Sequence, residues 1–221
     1  MRVLVIAPHM DDETLGMGGT IAKHVAQRDT VVVCICANRA YDHQYSETAI
    51  AQEESAAREA KKVLGYQDVR FLNLPDEQLD GRLIDVIVPL EKVCDEVAPD
   101  IVYTCHRGDT NQDHQAVFKA TMIVCRSLAR SRPDRLLCYE VPSSSDQAPP
   151  FLESQFAPNY YVDIGPHLDK KIKALSCYQR ELRAFPHPRS PEGIATYARK
   201  RGVEVGCEAA EAFMVVREIW S

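Results

Sequence analysis

The sequence predicts an α/β fold: a Rossmann-like, mostly parallel sheet with helices on both faces and an active site at the carboxyl ends of its strands. Three observations support this prediction. Strand-length apolar runs alternate with helix-length amphipathic stretches through residue 141. The runs are almost continuously apolar, as is typical of parallel strands buried on both faces. Chemically versatile side chains follow several of these runs directly, where ligands bind in open α/β sheets.

Apolar periodicity and end signals place each element. Gly65 ends a long helix in the position that favours left-handed backbone, and the next helix stops before Pro99. The predicted strands are 2–7, 30–36, 69–72, 100–104, 136–141 and 160–164. The predicted helices are 15–26, 48–64, 82–97, 114–129, 167–182 and 192–201, and the segment 209–220 closes the chain.

Length and composition predict one domain over 1–221. The chain has 221 residues, of which 45% are hydrophobic, enough for a single substantial core. Ser, Pro and Gln crowd the segment 142–158, which we expect to form a lid-like loop. The C-terminal extension, 159–221, is expected to pack on the same domain.

Net charge, the length of the apolar runs and the positions of the cysteines limit the partners and the cellular compartment that we expect. The net charge is −6, and Lys and Arg are scattered along the chain, so nucleic acid is not an expected partner. No apolar run reaches the roughly 20 residues that span a membrane, and no signal-peptide pattern precedes the first strand, so we expect a cytoplasmic protein. Most of the 8 cysteines lie in apolar runs without a Cys-x-x-Cys pair, as free buried thiols do.

Polar loops follow three predicted strands, at 9–13, 38–43 and 106–114. The carboxyl ends of parallel strands lie along one edge, so these loops can converge. Two histidines and a carboxylate with an open fourth position form a known catalytic zinc arrangement. The candidate side chains of the first and third loops are His9, Asp11, Asp12, Glu13, Asp109, Asp113 and His114.

Two of these loops resemble the motifs of a known family. Pro-His-Met-Asp-Asp-Glu at 8–13 resembles the Ala-His-Pro-Asp-Asp-Glu signature of the PIG-L/LmbE-like de-N-acetylases, and Asp-Thr-Asn-Gln-Asp-His at 109–114 resembles the second motif of that family. The closing stretch from 178–180 through 210–213 is similar to the tails of bacterial members. The resemblance implies an enzyme that removes acetyl groups from N-acetylated amino sugars and their conjugates, including sugar nucleotides.

The resemblance also implies roles for individual residues. His9, Asp12 and His114 would hold a divalent metal, usually Zn²⁺ although another divalent metal would serve. Asp11 would be the general base that activates the attacking water, and Asp113 a carboxylate that orients a neighbouring group. Glu13 is expected either to join this chemistry or to cap the following helix.

Position 111 departs from the family pattern. Asn111 stands where many members carry a histidine assigned to oxyanion stabilisation or proton delivery. Asparagine donates hydrogen bonds but cannot shuttle a proton at neutral pH. We therefore expect Asn111 to share in oxyanion stabilisation and Asp11 to return the proton it took, with His106 and His187 as alternative acids.

Four residues are candidate substrate contacts: Arg39 and Tyr41 in the second polar loop, His106, and His187 between two prolines. For Arg39 and Tyr41 an ordinary solvated loop is an equal alternative. His24 and His167 are expected at the surface. Homo-oligomers are common in the family, so the resemblance implies that this chain forms one too.

Two readings compete with an enzyme of this kind. The first is an NADP-type nucleotide-binding Rossmann domain, because the Gly-Met-Gly-Gly run at 16–19 follows the first strand and Arg39 follows the second. Three acids precede those glycines, however, and would repel a pyrophosphate. The glycines are better explained by close approach of the helix to the sheet. The second reading is a non-catalytic metal-binding module, in which Asp11 would have no task.

Overall fold

The computed structural model describes residues 1–220. Within them the strands are β1 (Arg2–Ala7), β2 (Thr30–Ala37), β3 (Ala40–Tyr41), β4 (Gln44–Tyr45), β5 (Asp68–Leu74), β6 (Ile101–Cys105), β7 (Arg135–Tyr139), β8 (Tyr160–Asp163) and β9 (Ala210–Glu218). The helices are α1 (Asp12–Ala26), α2 (Glu47–Leu64), α3 (Leu83–Val97), α4 (Gln112–Val124), α5 (Leu168–Leu175) and α6 (Pro191–Val205), with two short 3₁₀ turns at Ser145–Gln147 and Gly165–His167.

A seven-stranded sheet organises the molecule, in the order β5-β2-β1-β6-β7-β9-β8. The first five of these strands run parallel, whereas β9 pairs antiparallel with both β7 and β8. This mostly parallel sheet flanked by helices confirms the predicted fold class. β1 lies between β2 and β6 and is buried from Val3 onward, so the loops after β1 and β6 emerge side by side at the carboxyl edge.

Several element boundaries differ from those predicted. α1 begins at Asp12 instead of residue 15, because Asp12 and Glu13 themselves form its first turn. Negative charge is favourable there, since it lies at the positive end of the helix dipole. α4 ends at Val124 and α5 at Leu175, both earlier than predicted, and in each case turns continue the chain. The β3–β4 hairpin begins in the second polar loop and extends beyond it to Tyr45; its two-residue strands are too short to show an alternating pattern in the sequence.

The glycines of 16–19 are packing positions. A Cβ on Gly16 would stand 2.3 Å from the Tyr139 ring, and one on Gly19 would stand 2.7 Å from the Ile164 side chain. Both distances are shorter than van der Waals contact, so only glycine lets α1 approach these side chains. These distances support the packing explanation. The nucleotide-binding interpretation therefore loses the glycine-rich loop that would have held a phosphate.

The buried carboxylate of Glu211 joins α1 to the C-terminal part of the sheet and forms an ion pair with α5. α1 is kinked at Met17, and beyond the kink Glu211 accepts hydrogen bonds from the amides of Gly19 (3.0 Å) and Thr20 (2.6 Å). Lys171 donates to the same carboxylate at 2.6 Å, and both side chains are buried. Glu211 thus replaces partners that the kink removes from the helix backbone.

Replacing Lys171 with methionine should lower the free energy of unfolding by about 3–5 kcal/mol, because it leaves the Glu211 charge buried without its cation. Urea denaturation measures this change. The double variant Lys171→Met/Glu211→Gln should recover part of the loss, since no unpaired charge remains. Equal stability of the Lys171→Met variant and the wild type would contradict this account.

The surface position expected for His24 is wrong. His24 is buried between Asp29, 2.7 Å from its Nδ1, and the Tyr103 hydroxyl, 3.0 Å from its Nε2. These long-range partners are invisible in the local sequence, which reads as an ordinary helix end. His167 is half-buried. None of the helices in residues 1–220 is long and apolar enough to cross a membrane.

Candidate active site

Four predicted site residues meet at the carboxyl edge of the sheet. His9 and Asp11 lie in the loop after β1, Asp12 opens α1, and His114 lies in the first turn of α4. All four are at most 3% exposed. The strand order explains the meeting, because α4 follows β6, the direct neighbour of β1.

His9, Asp12 and His114 present three ligand atoms to one point. His9 Nδ1 lies 3.2 Å from His114 Nε2 and 3.3 Å from Asp12 Oδ2, and His114 Nε2 lies 3.2 Å from the same oxygen. Ligand atoms bound at about 2.0–2.1 Å to a tetrahedral metal stand roughly 3.3–3.4 Å apart. The three atoms therefore fit one face of a tetrahedral divalent-metal site.

Carboxylates stand behind both imidazole rings. The second nitrogen of His9, Nε2, lies 2.9 Å from Asp76 and 3.2 Å from Asp113. The second nitrogen of His114, Nδ1, lies 3.1 Å from Asp109. Metal-binding histidines are typically oriented in this way, with a carboxylate on the nitrogen that faces away from the metal.

This concentration of carboxylates favours positive charge at the site. Burial alone would lower the pKa of His9, but its hydrogen bonds to Asp113, Asp12 and Asp76 hold the pKa well above its ordinary value. Burial likewise opposes protonation of His114, yet Asp12 and Asp109 raise its pKa to about 9. A site that stabilises added protons so strongly also suits a divalent cation.

A second cluster, His9 with Asp76 and Asp113, supports the first one. Asp113 accepts hydrogen bonds from the amides of Glu77 (2.7 Å) and Leu79 (2.9 Å), and Asp76 accepts one from the amide of Ala40 (2.8 Å). Backbone amides therefore hold both carboxylates in place, and each carboxylate also lies against His9 Nε2. Of the side chains around Asp113, the one within ion-pair distance is that of His9.

Sequence reasoning missed Asp76 and left Asp109 without a role. Asp76 lies in the turn-rich segment after β5, and its position beyond a strand end was the available signal. Asp109 accepts hydrogen bonds from Ser144 and from Ser145 (2.6 Å), which ties the segment 142–158 to the partner of His114.

Asp11 is buried beside the triad in an unusual backbone conformation. Its φ of 113° lies in the left-handed region, and its Oδ2 atom is buried without a hydrogen-bond partner. Burial raises its pKa to about 8, against the opposing charge of Arg189, whose Nη1 is 3.3 Å from Oδ2. Glu13 accepts from the Asp11 amide (3.2 Å) and the Tyr178 hydroxyl (2.6 Å), so it supports this loop as well as the helix start.

Asn111 has a structural task in the described chain. Its side-chain oxygen accepts a hydrogen bond from the Asp113 amide at 2.8 Å, and it is the N-cap of α4. This bond places the turn that carries Asp113 and His114. That Asn111 also helps to stabilise the oxyanion stays a prediction.

The candidate substrate contacts divide into three groups. Arg39 and Tyr41 are half-buried, and both reach Oε1 of the buried Glu181 at 2.9 Å. His106 is buried and lies 3.1 Å from the Ser154 carbonyl, so it fastens the segment 142–158 to the loop after β6. His187 is exposed, and its Nδ1 accepts from the Arg189 amide at 3.1 Å; the structure does not bring it to the triad.

The chain is similar to curated deacetylases. It is 33% identical over 150 residues to the uncharacterized deacetylase YaiS of Escherichia coli, covering 64% of this chain and 75% of that one. It is 28% identical over 203 residues to a probable N-acetyl-alpha-D-glucosaminyl L-malate deacetylase 2 of Bacillus anthracis, covering 82% of this chain and 81% of that one.

Solved structures share the fold at lower identity. The N,N'-diacetylchitobiose deacetylase of Pyrococcus horikoshii matches with a TM-score of 0.79 and 22% identity, covering 97% of this chain and 83% of that one. The 4-carboxy-2-hydroxymuconate hydratase of Pseudomonas putida matches with a TM-score of 0.78 and 21% identity, covering 100% and 98%. These likenesses show the fold alone, since one fold supports different reactions.

The family description that matches the chain is PIG-L: GlcNAc-PI de-N-acetylase, over residues 4–125. The matched region contains most of β1, the first acidic loop, the parallel strands β2, β5 and β6, and the second motif with His114. Motifs, fold and relatives agree, and the chain belongs to the GlcNAc-PI de-N-acetylase (PIG-L) family.

Proposed function

We propose that the protein is a metal-dependent hydrolase that removes the acetyl group from the nitrogen of an N-acetylated amino sugar or sugar conjugate. One observation carries the proposal: His9, Asp12 and His114 form the face of a tetrahedral site, and Asp11, the residue before Asp12, is a buried carboxylate outside that triad whose Oδ2 atom accepts no hydrogen bond and has only the ion contact with Arg189. A metal site alone would not need Asp11.

The relatives support the substrate class. The Bacillus anthracis relative is named for a glucosaminyl conjugate that carries an N-acetyl group, and the family description names the de-N-acetylation of GlcNAc-PI. We therefore propose a small N-acetylated sugar, glycoside or sugar nucleotide as substrate. The net charge of −6 leads us to propose no nucleic-acid partner, and the lack of a membrane-length apolar helix in residues 1–220 leads us to propose no membrane partner.

Zn²⁺ is the metal we propose, because two imidazoles and one carboxylate are a common catalytic zinc donor set. Bound there, a divalent metal supplies a Lewis acid that makes water nucleophilic near neutral pH and polarises the acetyl carbonyl. Another divalent metal with the same donor preference would serve. Elemental analysis of the purified protein identifies it.

The chain's own residues divide the remaining work. Asp11 takes a proton from the attacking water while the water oxygen bonds to the amide carbon. When the carbon–nitrogen bond breaks, Asp11 returns that proton to the nitrogen, which leaves as the amine. The acetyl group leaves as acetic acid, which carries the second proton of the water and ionises to acetate. Asp109, Asp113 and Asp76 keep both histidine rings oriented throughout.

Incubation with a panel of N-acetylated sugars, glycosides and sugar nucleotides tests this function. We expect at least one of them to yield acetate and free amine in equal amounts. A folded, metal-free protein that releases no acetate and binds a nicotinamide cofactor would overturn the proposal. Variants of the segment 142–158 should change which substrate is preferred, because loops at strand ends commonly select ligands.

Two further proposals concern the cellular compartment and the oligomeric state of the enzyme. All eight cysteines are free, and six of them are buried, as expected in a reducing compartment. We therefore propose that the protein works in the cytoplasm, and cell fractionation checks this. We also propose that it forms homo-oligomers, which sedimentation in solution checks.

A further inference from the structure

Arg189 joins three separate parts of the chain beside the candidate active site. Its Nη1 atom lies 3.3 Å from Asp11 Oδ2 and also pairs with Glu181. Its Nε donates a hydrogen bond of 2.7 Å to the hydroxyl of Ser143, at the start of the segment 142–158. The side chain is 19% exposed, so most of the guanidinium is shielded from solvent.

The backbone around Arg189 is fixed by the start of α6. Ser190 is fully buried and caps that helix, accepting a hydrogen bond from the Gly193 amide at 2.9 Å. Gly193 lies so close to the carbonyl oxygens of His187 and Pro188 that a Cβ would stand 2.7 Å from each. This close packing presents Arg189 toward Asp11 from a defined position.

The other partner of the guanidinium is fixed as well. Glu181 is buried, and Arg39 and Tyr41 both bond to its Oε1 atom while Arg189 pairs with Oε2. A planar guanidinium has several donors in a rigid arrangement and can satisfy such partners together. A flexible single ammonium group cannot reproduce that geometry.

Asp11, by contrast, has few restraints of its own. Its side chain makes no capping hydrogen bond, and its backbone is in the left-handed region, which is costly for a residue other than glycine. Within residues 1–220, Arg189 is the one cationic side chain within ion-pair distance of the Asp11 carboxylate. The Asn111 side chain accepts a hydrogen bond from the Asp113 amide, and His187 Nδ1 accepts one from the Arg189 amide; neither contact restrains the Asp11 carboxylate.

On the basis of the proposed function, we propose that Arg189 is a positioning residue for Asp11. Its guanidinium, held by Glu181 and Ser143, fixes the direction of the Asp11 carboxylate through Oδ2. Because arginine stays protonated in proteins, it orients the base without competing for the proton that the base accepts. The C-terminal part of the chain would thereby complete the catalytic loop of the N-terminal part.

Arg189→Met tests this role by separating turnover from metal and substrate binding. A small misplacement of a reacting group costs roughly 100-fold in rate, so we expect kcat to fall by about that factor while KM and the metal content stay near wild type. Arg189→Lys should retain part of the rate, because it keeps the charge without the planar fork. Arg217→Met is the matched control: Arg217 is half-buried, bonds to the Cys125 carbonyl and lies at the opposite end of the sheet.

Chemical rescue distinguishes a positioning role of Arg189 from a purely structural one. Guanidinium ion added at non-denaturing concentration to Arg189→Ala should restore part of kcat in a saturable way, whereas sodium chloride at equal ionic strength should not. Unchanged kcat in Arg189→Met, loss of its metal, or absence of rescue in a folded Arg189→Ala protein would each overturn the positioning role. Wild type that releases no acetate would overturn the proposed function itself, a distinct result.

Discussion

Replacing Asp11 with asparagine is expected to remove nearly all hydrolysis while the metal stays bound. Asparagine keeps the size of the side chain but cannot accept the proton of the attacking water. Loss of a general base lowers turnover by about 10²–10⁴-fold. Asp11 lies outside the triad that would hold the metal, so elemental analysis should still find the wild-type metal content.

Asp29→Asn is the matched control for this substitution. Like Asp11, Asp29 is buried and lies in an ion contact, here with His24, and it precedes β2 at the opposite end of the sheet from the triad. We expect it to retain kcat, although its stability should fall. Wild-type turnover in Asp11→Asn, or loss of its metal, would contradict the role of Asp11 as a base separate from the ligands.

His114→Ala and Asp12→Ala are expected to lose both metal and activity. Each removes one of three protein ligands, and the remaining two cannot complete the tetrahedral face described by the 3.2–3.3 Å separations. A ligand that binds only the folded state stabilises it by about 2.7 kcal/mol at a free concentration 100 times its Kd. Chelation should therefore lower the Tm of wild type but leave that of His114→Ala unchanged.

His24→Ala is the control for loss of a buried histidine. Like His114, His24 is buried against an aspartate, but it has no second histidine or carboxylate arranged around a common point. We expect this variant to keep its metal and its response to chelation, with lower stability overall. A His114→Ala protein that retains the wild-type metal content would show that the metal lies elsewhere.

The fold and the core of the site could be predicted because their signals are local. Apolar runs such as 3–7 are typical of buried parallel strands, and a histidine with three acids directly after such a run has no packing explanation. The strand order then brings His114 to His9. Buried charged residues whose partners lie far away in the sequence give no comparable local signal.

Asp76, Glu181 and Arg189 show why that part of the site escaped prediction. In sequence Asp76 and Arg189 lie in loops and Glu181 lies near the end of the predicted helix 167–182, positions where solvated acids and arginines are ordinary. Only the folded chain reveals that all three are shielded from solvent and joined through ion contacts to His9 or Asp11. The same reason explains His24, whose partners Asp29 and Tyr103 lie on different elements.

Titration of the metal-free protein with Zn²⁺, while acetate release is followed, tests the central claim most directly. Chelated wild type should be folded and inactive, and activity should return in proportion to added metal until about one equivalent per chain is bound, because one triad makes one site. His114→Ala, treated identically, should gain no activity. Full acetate release by the metal-free wild type, or recovery of the His114→Ala protein at one equivalent, would contradict hydrolysis at the His9, Asp12 and His114 site.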